Sequence, residues 1–236
     1  MFSNPLNWVD LNLGNEGHVS YIKSNELYKK LHSNGDSERI LGEIISHSLR
    51  NRLSVSTKVH PRVTGLLDRN SIIKQVDESL KRLKIEVIDK LYLHFPTTST
   101  PIEETLNVIN ELYKAGKFIN FGLSNYPSWL VMEIVNLCIK ENLVKPSIYQ
   151  GMYNAITRRV ENELLPALIF KGINFYAFNP LAGGLLTGKH TNTQSQEGSG
   201  RFSRLKSYRE RYWKDDYFEA IEILKKACSD YGIKPS

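Results

Sequence analysis

From Leu53 onward, short β-branched or aromatic runs alternate with longer stretches whose apolar positions recur at helical spacing. That alternation predicts strand–helix crossover units around a parallel sheet. Five strands are expected, over 53–59, 87–95, 118–125, 146–152 and 173–179, each followed by helix signals. After the second strand, Thr100 is the expected N-cap, Pro101 opens a helix and Glu103 completes a capping box. Ile102, Leu106, Ile109 and Tyr113 form one face of that helix, and Gly116 ends it. The stretch after Asn70 repeats the logic. Ile72, Val76, Leu80 and Leu83 point to a core, and Lys81, Arg82 and Lys84 are left for water. Residues 36–49 read as a helix preceding the first strand, whereas the first 35 residues carry no convincing strand. Residues 188–207 are polar and Gly/Ser-rich, which predicts an excursion longer than an ordinary β/α connection.

Composition narrows the class. A chain of 236 residues with 41% hydrophobic content is long enough for one large domain with a filled core. The formal charge of +6 suits anionic small molecules but falls short of a nucleic-acid-binding stripe. Cys138 and Cys228 lie far apart in helix-like stretches, so neither a disulfide framework nor a metal cluster is expected, and a cytoplasmic setting fits. No apolar run approaches the roughly 20 residues of a membrane span, and the N-terminus lacks a leader pattern.

In parallel β/α folds, reactive residues gather where strands end and loops begin. The polar residues at those ends are Lys58, His94, Ser124 with Asn125, Gln150, and Asn179. Alternation puts Lys58 on the same side as Ser54 and Ser56, facing inward. Each has an ordinary explanation taken singly. Lys58 fits a snorkelling surface charge, His94 a satisfied core histidine, Ser124 and Asn125 a turn before Pro127, and Gly183 with Gly184 a relief of backbone crowding. The functional reading rests on the set recurring in order at the same end of successive strands.

The motifs SERILG at 37–42, STKV at 56–59, SLKRL at 79–83, LYLHFP at 91–96 and TPIEETL at 100–106 resemble the aldo-keto reductases, especially the aflatoxin-aldehyde and succinic-semialdehyde reductase branch. GLSNY at 122–126, YQGMYNAITR at 149–158, FYAFNPLAGGLLTGK at 175–189 and RYWK at 211–214 complete the likeness. The resemblance implies an α/β fold of (β/α)8 TIM-barrel type, incomplete here. It divides the chain into a divergent N-terminal segment over 1–35 and a partial barrel domain over 36–236. It implies reduction of a small-molecule aldehyde or ketone by NADPH, with Lys58 and His94 as the catalytic lysine and histidine. Ser124, Asn125 and Gln150 would hold the nicotinamide carboxamide, and Phe178 would lie against the ring. Asn179, Pro180, Leu181, Gly183, Gly184, Leu185 and Lys189 belong to the stretch that wraps the pyrophosphate. Arg201 matches a cofactor-binding arginine, and Arg211 and Tyr212 are expected to face substrate.

The family also uses a tyrosine as proton donor, assisted by the lysine and a paired aspartate. In the ungapped register before SERILG, His32 stands in the tyrosine's place and Leu27 in the aspartate's. Tyr28 is the alternative donor, and Asp36 or Glu38 an alternative partner for Lys58. With five strands in place of eight, an open sheet with unpaired edges is expected, and a homodimer is one way to cover them. The competing readings are a catalytically inactive NADP(H)-binding regulatory protein and, last, nucleic-acid binding through the basic and aromatic residues between Arg201 and Lys214.

Overall fold

The computed structural model describes residues 9–12, 35–45, 50, 53–190, 193 and 201–233. The described residues group into two compact units, Met1–Gln150 with Ala167–Phe175, and Gly151–Pro166 with Tyr176–Ser236. Their boundaries fall inside the fifth and sixth strands and inside the helix between them.

The sheet contains β1 (Val9–Asn12), β2 (Leu53–Val59), β3 (Ile88–Leu93), β4 (Phe118–Ser124), β5 (Ile148–Met152) and β6 (Asn174–Phe178), in that spatial order. The strands from β1 through β5 pair in parallel with their neighbours. Five of these strands lie where the hydrophobic pattern puts them. β1 is the exception to the sequence reading, because four residues, VDLN, are too short to show a period. Its register opposite β2, with Val9 beside Leu53 and Asn12 beside Ser56, makes it the first strand of the sheet.

Helices follow the strands as the crossover rule requires: α1 (Asp36–Ile44), α2 (Arg69–Leu83), α3 (Ile102–Lys114), α4 (Ser128–Lys140) and α5 (Leu164–Lys171). α2 starts at Asp68, whose carboxylate accepts the Ser71 amide at 2.9 Å, and buries Ile72, Val76, Leu80 and Leu83. α1 packs closely on its end. A Cβ on Gly42 would stand 2.2 Å from the Arg82 carbonyl oxygen, so only glycine fits there. The capping box expected at the start of α3 does not form. The helix begins at Ile102 after Pro101 without a side-chain cap, and the Thr100 hydroxyl instead accepts the Leu67 amide at 3.0 Å. Leu112, not Tyr113, completes the buried face of α3, and Gly116 follows it in the left-handed region at φ 69°.

In the second unit, a 3-10 turn at Ala182–Thr187 leads to α6 (Arg201–Arg204), α7 (Lys206–Tyr212) and α8 (Asp215–Asp230). Ala182, Leu185, Leu186, Phe202, Tyr212, Phe218 and Ile221 form its core, with Trp213 packed against them. The aromatics expected as a nucleic-acid stacking platform are therefore largely spent on holding this unit together.

Candidate active site

The sheet register places Ser56 beside Lys90, Lys58 beside Tyr92, Tyr92 beside Gly122, and Ser124 beside Gln150. Side chains on neighbouring strands at paired positions share a face, so Lys58, Tyr92, Ser124 and Gln150 lie on the same side of the first unit's sheet. Lys58 is only 6% exposed, which rules out a snorkelling surface charge. Its ammonium stands 5.3 Å from the centroid of the buried Tyr92 ring. The ring lies tight over Gly122, where an added Cβ would come within 2.4 Å of Tyr92 Cδ1. Tyr92 and Gly122 were not singled out by sequence reasoning. Their signal was present only as the second residue of LYLHFP and the first of GLSNY.

The opposite face is built for structure. Thr57 donates its hydroxyl to Glu38 at 2.5 Å, and the other Glu38 oxygen takes the Arg82 guanidinium at 2.6 Å. Asp36 pairs with Arg39 at 2.6 Å. Neither carboxylate is therefore the partner of Lys58 that the sequence offered as an alternative. Leu27, Tyr28 and His32 lie outside the described residues.

At the ends of β3 and β4 the chain ties its own strand tips together. The His94 amide donates to the Val59 carbonyl at 2.9 Å, and the Asn125 amide nitrogen donates to the His94 carbonyl at 3.1 Å and to Ser124 Oγ at 3.0 Å. Asn125 reaches both by adopting φ 61°, a left-handed conformation that asparagine tolerates better than most residues. His94 is half-buried, and its ring meets that of His60 edge-on at 4.6 Å and leans on Phe95 at 4.7 Å. His60 is itself fixed, since its Nδ1 accepts the Arg62 amide. Behind them Tyr149 donates to the Tyr126 carbonyl at 2.7 Å, and burial pushes its phenol up to about 12. Burial raises the Tyr126 phenol further. Neither is suited to give up a proton at neutral pH. Lys58, His94, Ser124, Asn125 and Gln150 thus belong to one unit. A buried cation, an imidazole and side-chain amides lie on one pleat or at the tips of its strands.

Asn179 lies in the second unit and is likewise left-handed, at φ 61°. Its Oδ1 accepts the Gly183 amide at 2.8 Å, closing the loop onto the end of β6. Gly183 and Gly184 follow at φ 73° and 109°, and a Cβ on Gly184 would meet no atom within 4 Å, so the backbone there is bare. Phe178 and Asn179 are half-buried, and Pro180, Leu181 and Lys189 are exposed. Leu185 is wholly buried in the core of this unit, so its side chain packs inward and only its backbone remains for a ligand. Arg201 opens α6, and Arg211 is exposed on α7. Tyr212 corrects the expectation of a substrate-facing residue. It is 0% exposed, and its hydroxyl accepts the Asn179 amide nitrogen at 2.7 Å and donates to Met152 Sδ at 3.2 Å. In the same unit a 3-10 turn at Arg159–Glu161 is pinned by Glu161, whose carboxyl Arg158 and Tyr153 hold down to about 2.

Residues 18–236 match the model of the aldo/keto reductase family. The chain belongs to the aldo-keto reductase family. Among curated relatives, human aldo-keto reductase family 7 member A3 is 46% identical over 213 residues, covering 86% of this chain and 63% of that protein. Human aflatoxin B1 aldehyde reductase member 2 is 45% identical, covering 86% of this chain and 58% of its own length. The oxidoreductase sirO of Leptosphaeria maculans is 34% identical, with 88% and 63% covered. This aldo-keto reductase therefore spans somewhat under two thirds of the length of these relatives. Its parallel α/β sheet with following helices is that of an incomplete (β/α)8 barrel. Among the described residues no helix is long and apolar enough to cross a membrane, and no cluster of side chains has the makings of a metal site.

Proposed function

We propose that the chain acts in NADP(H)-dependent reduction of aldehydes and ketones to alcohols, with the strand-end residues of its first unit as the reacting groups. The observation that carries this reading is the burial of Lys58 on the same pleat as Ser124 and Gln150, with His94 and Asn125 at the adjoining strand tips. A lysine costs free energy when withdrawn from water, and a site that uses a fixed cation explains its place. The residues present fit the cofactor. Gln150, Ser124 and Asn125 offer amide and hydroxyl groups of the kind that bind a carboxamide, and the loop at 179–189 offers bare glycine backbone and the exposed Lys189. Phe178 would flank the ring, and Arg201 and Lys189 would meet phosphate. When bound, the nicotinamide supplies the hydride. His94 would orient the carbonyl group, and Lys58 would favour proton transfer by stabilising the anionic form of the donor. The relatives named as aflatoxin B1 aldehyde reductases support aldehydes as the substrate class. The free thiols Cys138 and Cys228 suit a cytoplasmic enzyme. A homodimer is the assembly proposed.

A second reading is favoured by the sequence: His32 and Leu27 stand in the tyrosine and aspartate positions of the family, which fits a protein that binds NADP(H) without turning it over. Titration of the purified chain with NADPH, followed by its fluorescence, and then addition of an aromatic aldehyde separates the two. Binding with NADPH oxidation supports the reductase. Binding without oxidation, with turnover recovered in the His32→Tyr, Leu27→Asp double variant, supports the second reading. No binding at all overturns both.

A further inference from the structure

We infer that Tyr212 is a positioning residue whose hydroxyl fixes the glycine loop following β6, an inference that rests on the cofactor-binding reading of that loop. All the groups involved lie in the second unit. Asparagine side chains are ambiguous in a fold, because the amide can flip its oxygen for its nitrogen at little steric cost. Two of them converge here, and each is forced to one orientation by a backbone donor. Asn179 Oδ1 accepts the Gly183 amide at 2.8 Å, and Asn154 Oδ1 accepts the Ile156 amide at 3.1 Å. Both amide nitrogens are thereby turned towards the Tyr212 hydroxyl, at 2.7 Å from Asn179 and 3.5 Å from Asn154. The oxygen accepts, and its proton goes to the Met152 thioether at 3.2 Å. Asn154 also donates to the Asn179 carbonyl at 3.0 Å, so the main chain of the left-handed residue is held as well.

The hydroxyl is therefore the side-chain acceptor of the half-buried Asn179 amide and a second, longer acceptor for the buried Asn154. Without it, the Asn179 amide is held at its oxygen alone, by Gly183, and its nitrogen is left without the Tyr212 acceptor. The turn from φ 61° at Asn179 to the two glycines then keeps only the Gly183 and Asn154 bonds, with no hold on the Asn179 amide nitrogen. Packing alone does not explain the residue, since phenylalanine fills the same space within the aromatic core.

Tyr212→Phe removes one oxygen. It is expected to speed hydrogen exchange of the Gly183 amide and weaken NADPH binding, each by about tenfold, which is the scale of one lost buried hydrogen bond. Tyr217→Phe, the same change on a ring 6.0 Å from Tyr212, is the control and should leave Gly183 unchanged. Asn179→Gly tolerates the positive φ and deletes the amide. If Tyr212 acts through Asn179, Tyr212→Phe adds nothing to Gly183 exchange in that background, a non-additivity that general loosening of the core does not give. Additive effects, or Gly183 exchange unchanged in Tyr212→Phe, overturn the inference whether or not NADPH binds. Faster Gly183 exchange in a protein whose unaltered form does not bind NADPH upholds Tyr212's hold on the loop and overturns the proposed function instead.

Discussion

A lysine at a strand end reaches a buried position only when something holds its stem and faces its charge. Here Tyr92 provides the facing surface, and Gly122 makes room for Tyr92. Gly122→Ala puts a methyl group into the Tyr92 ring. It is expected to destabilise the fold by about 1–3 kcal/mol through overpacking. The check is the urea midpoint, and a midpoint equal to that of the unaltered protein contradicts the stacking order. Lys58 was legible in the sequence because period-two alternation set it with Ser54 and Ser56. Its support was not legible, because a contact between β2, β3 and β4 depends on register, which no single strand's pattern reveals. Tyr212 shows the same limit from the other side. An aromatic in a basic segment reads as ligand-facing, yet its hydroxyl is spent on Asn179 and Met152.

The helices and strands were more readable than their joints. The apolar spacing of α2 predicts its buried face, and the strands from β2 onward fall within two residues of their expected ends. What failed were short-range competitions. Thr100 has a cap's chemistry but bonds to Leu67 across the fold, and the tether it makes there replaces the capping box. Glu38 has the same lesson with more at stake, for it joins α1, β2 and α2 through Thr57 and Arg82 and is 3% exposed. Removing one partner of a buried ion pair strands the other. Glu38→Ala is expected to cost about 3 kcal/mol, since Arg82 keeps only its contacts with Glu78 and Ser79. A shift in denaturation midpoint at unchanged slope would measure it. A loss under about 0.5 kcal/mol, the scale of an exposed pair, would show that the three elements are not joined this way.

On the scale of the molecule, the family was legible because nine short motifs occur in order, and the match over residues 18–236 bears it out. The division into two compact units was not. It cuts β5 after Gln150, α5 after Pro166 and β6 after Phe175, within elements whose composition is continuous. The first unit carries the buried cation and the strand-tip amides, and the second carries the glycine loop. The decisive measurement for the first unit is a structure of the chain crystallised with NADP+. The nicotinamide carboxamide is expected within hydrogen-bond reach of Asn125 or Gln150, with Lys58 and His94 beside the reactive ring carbon. A nicotinamide ring bound elsewhere, with Lys58 still buried against Tyr92, would contradict that expectation.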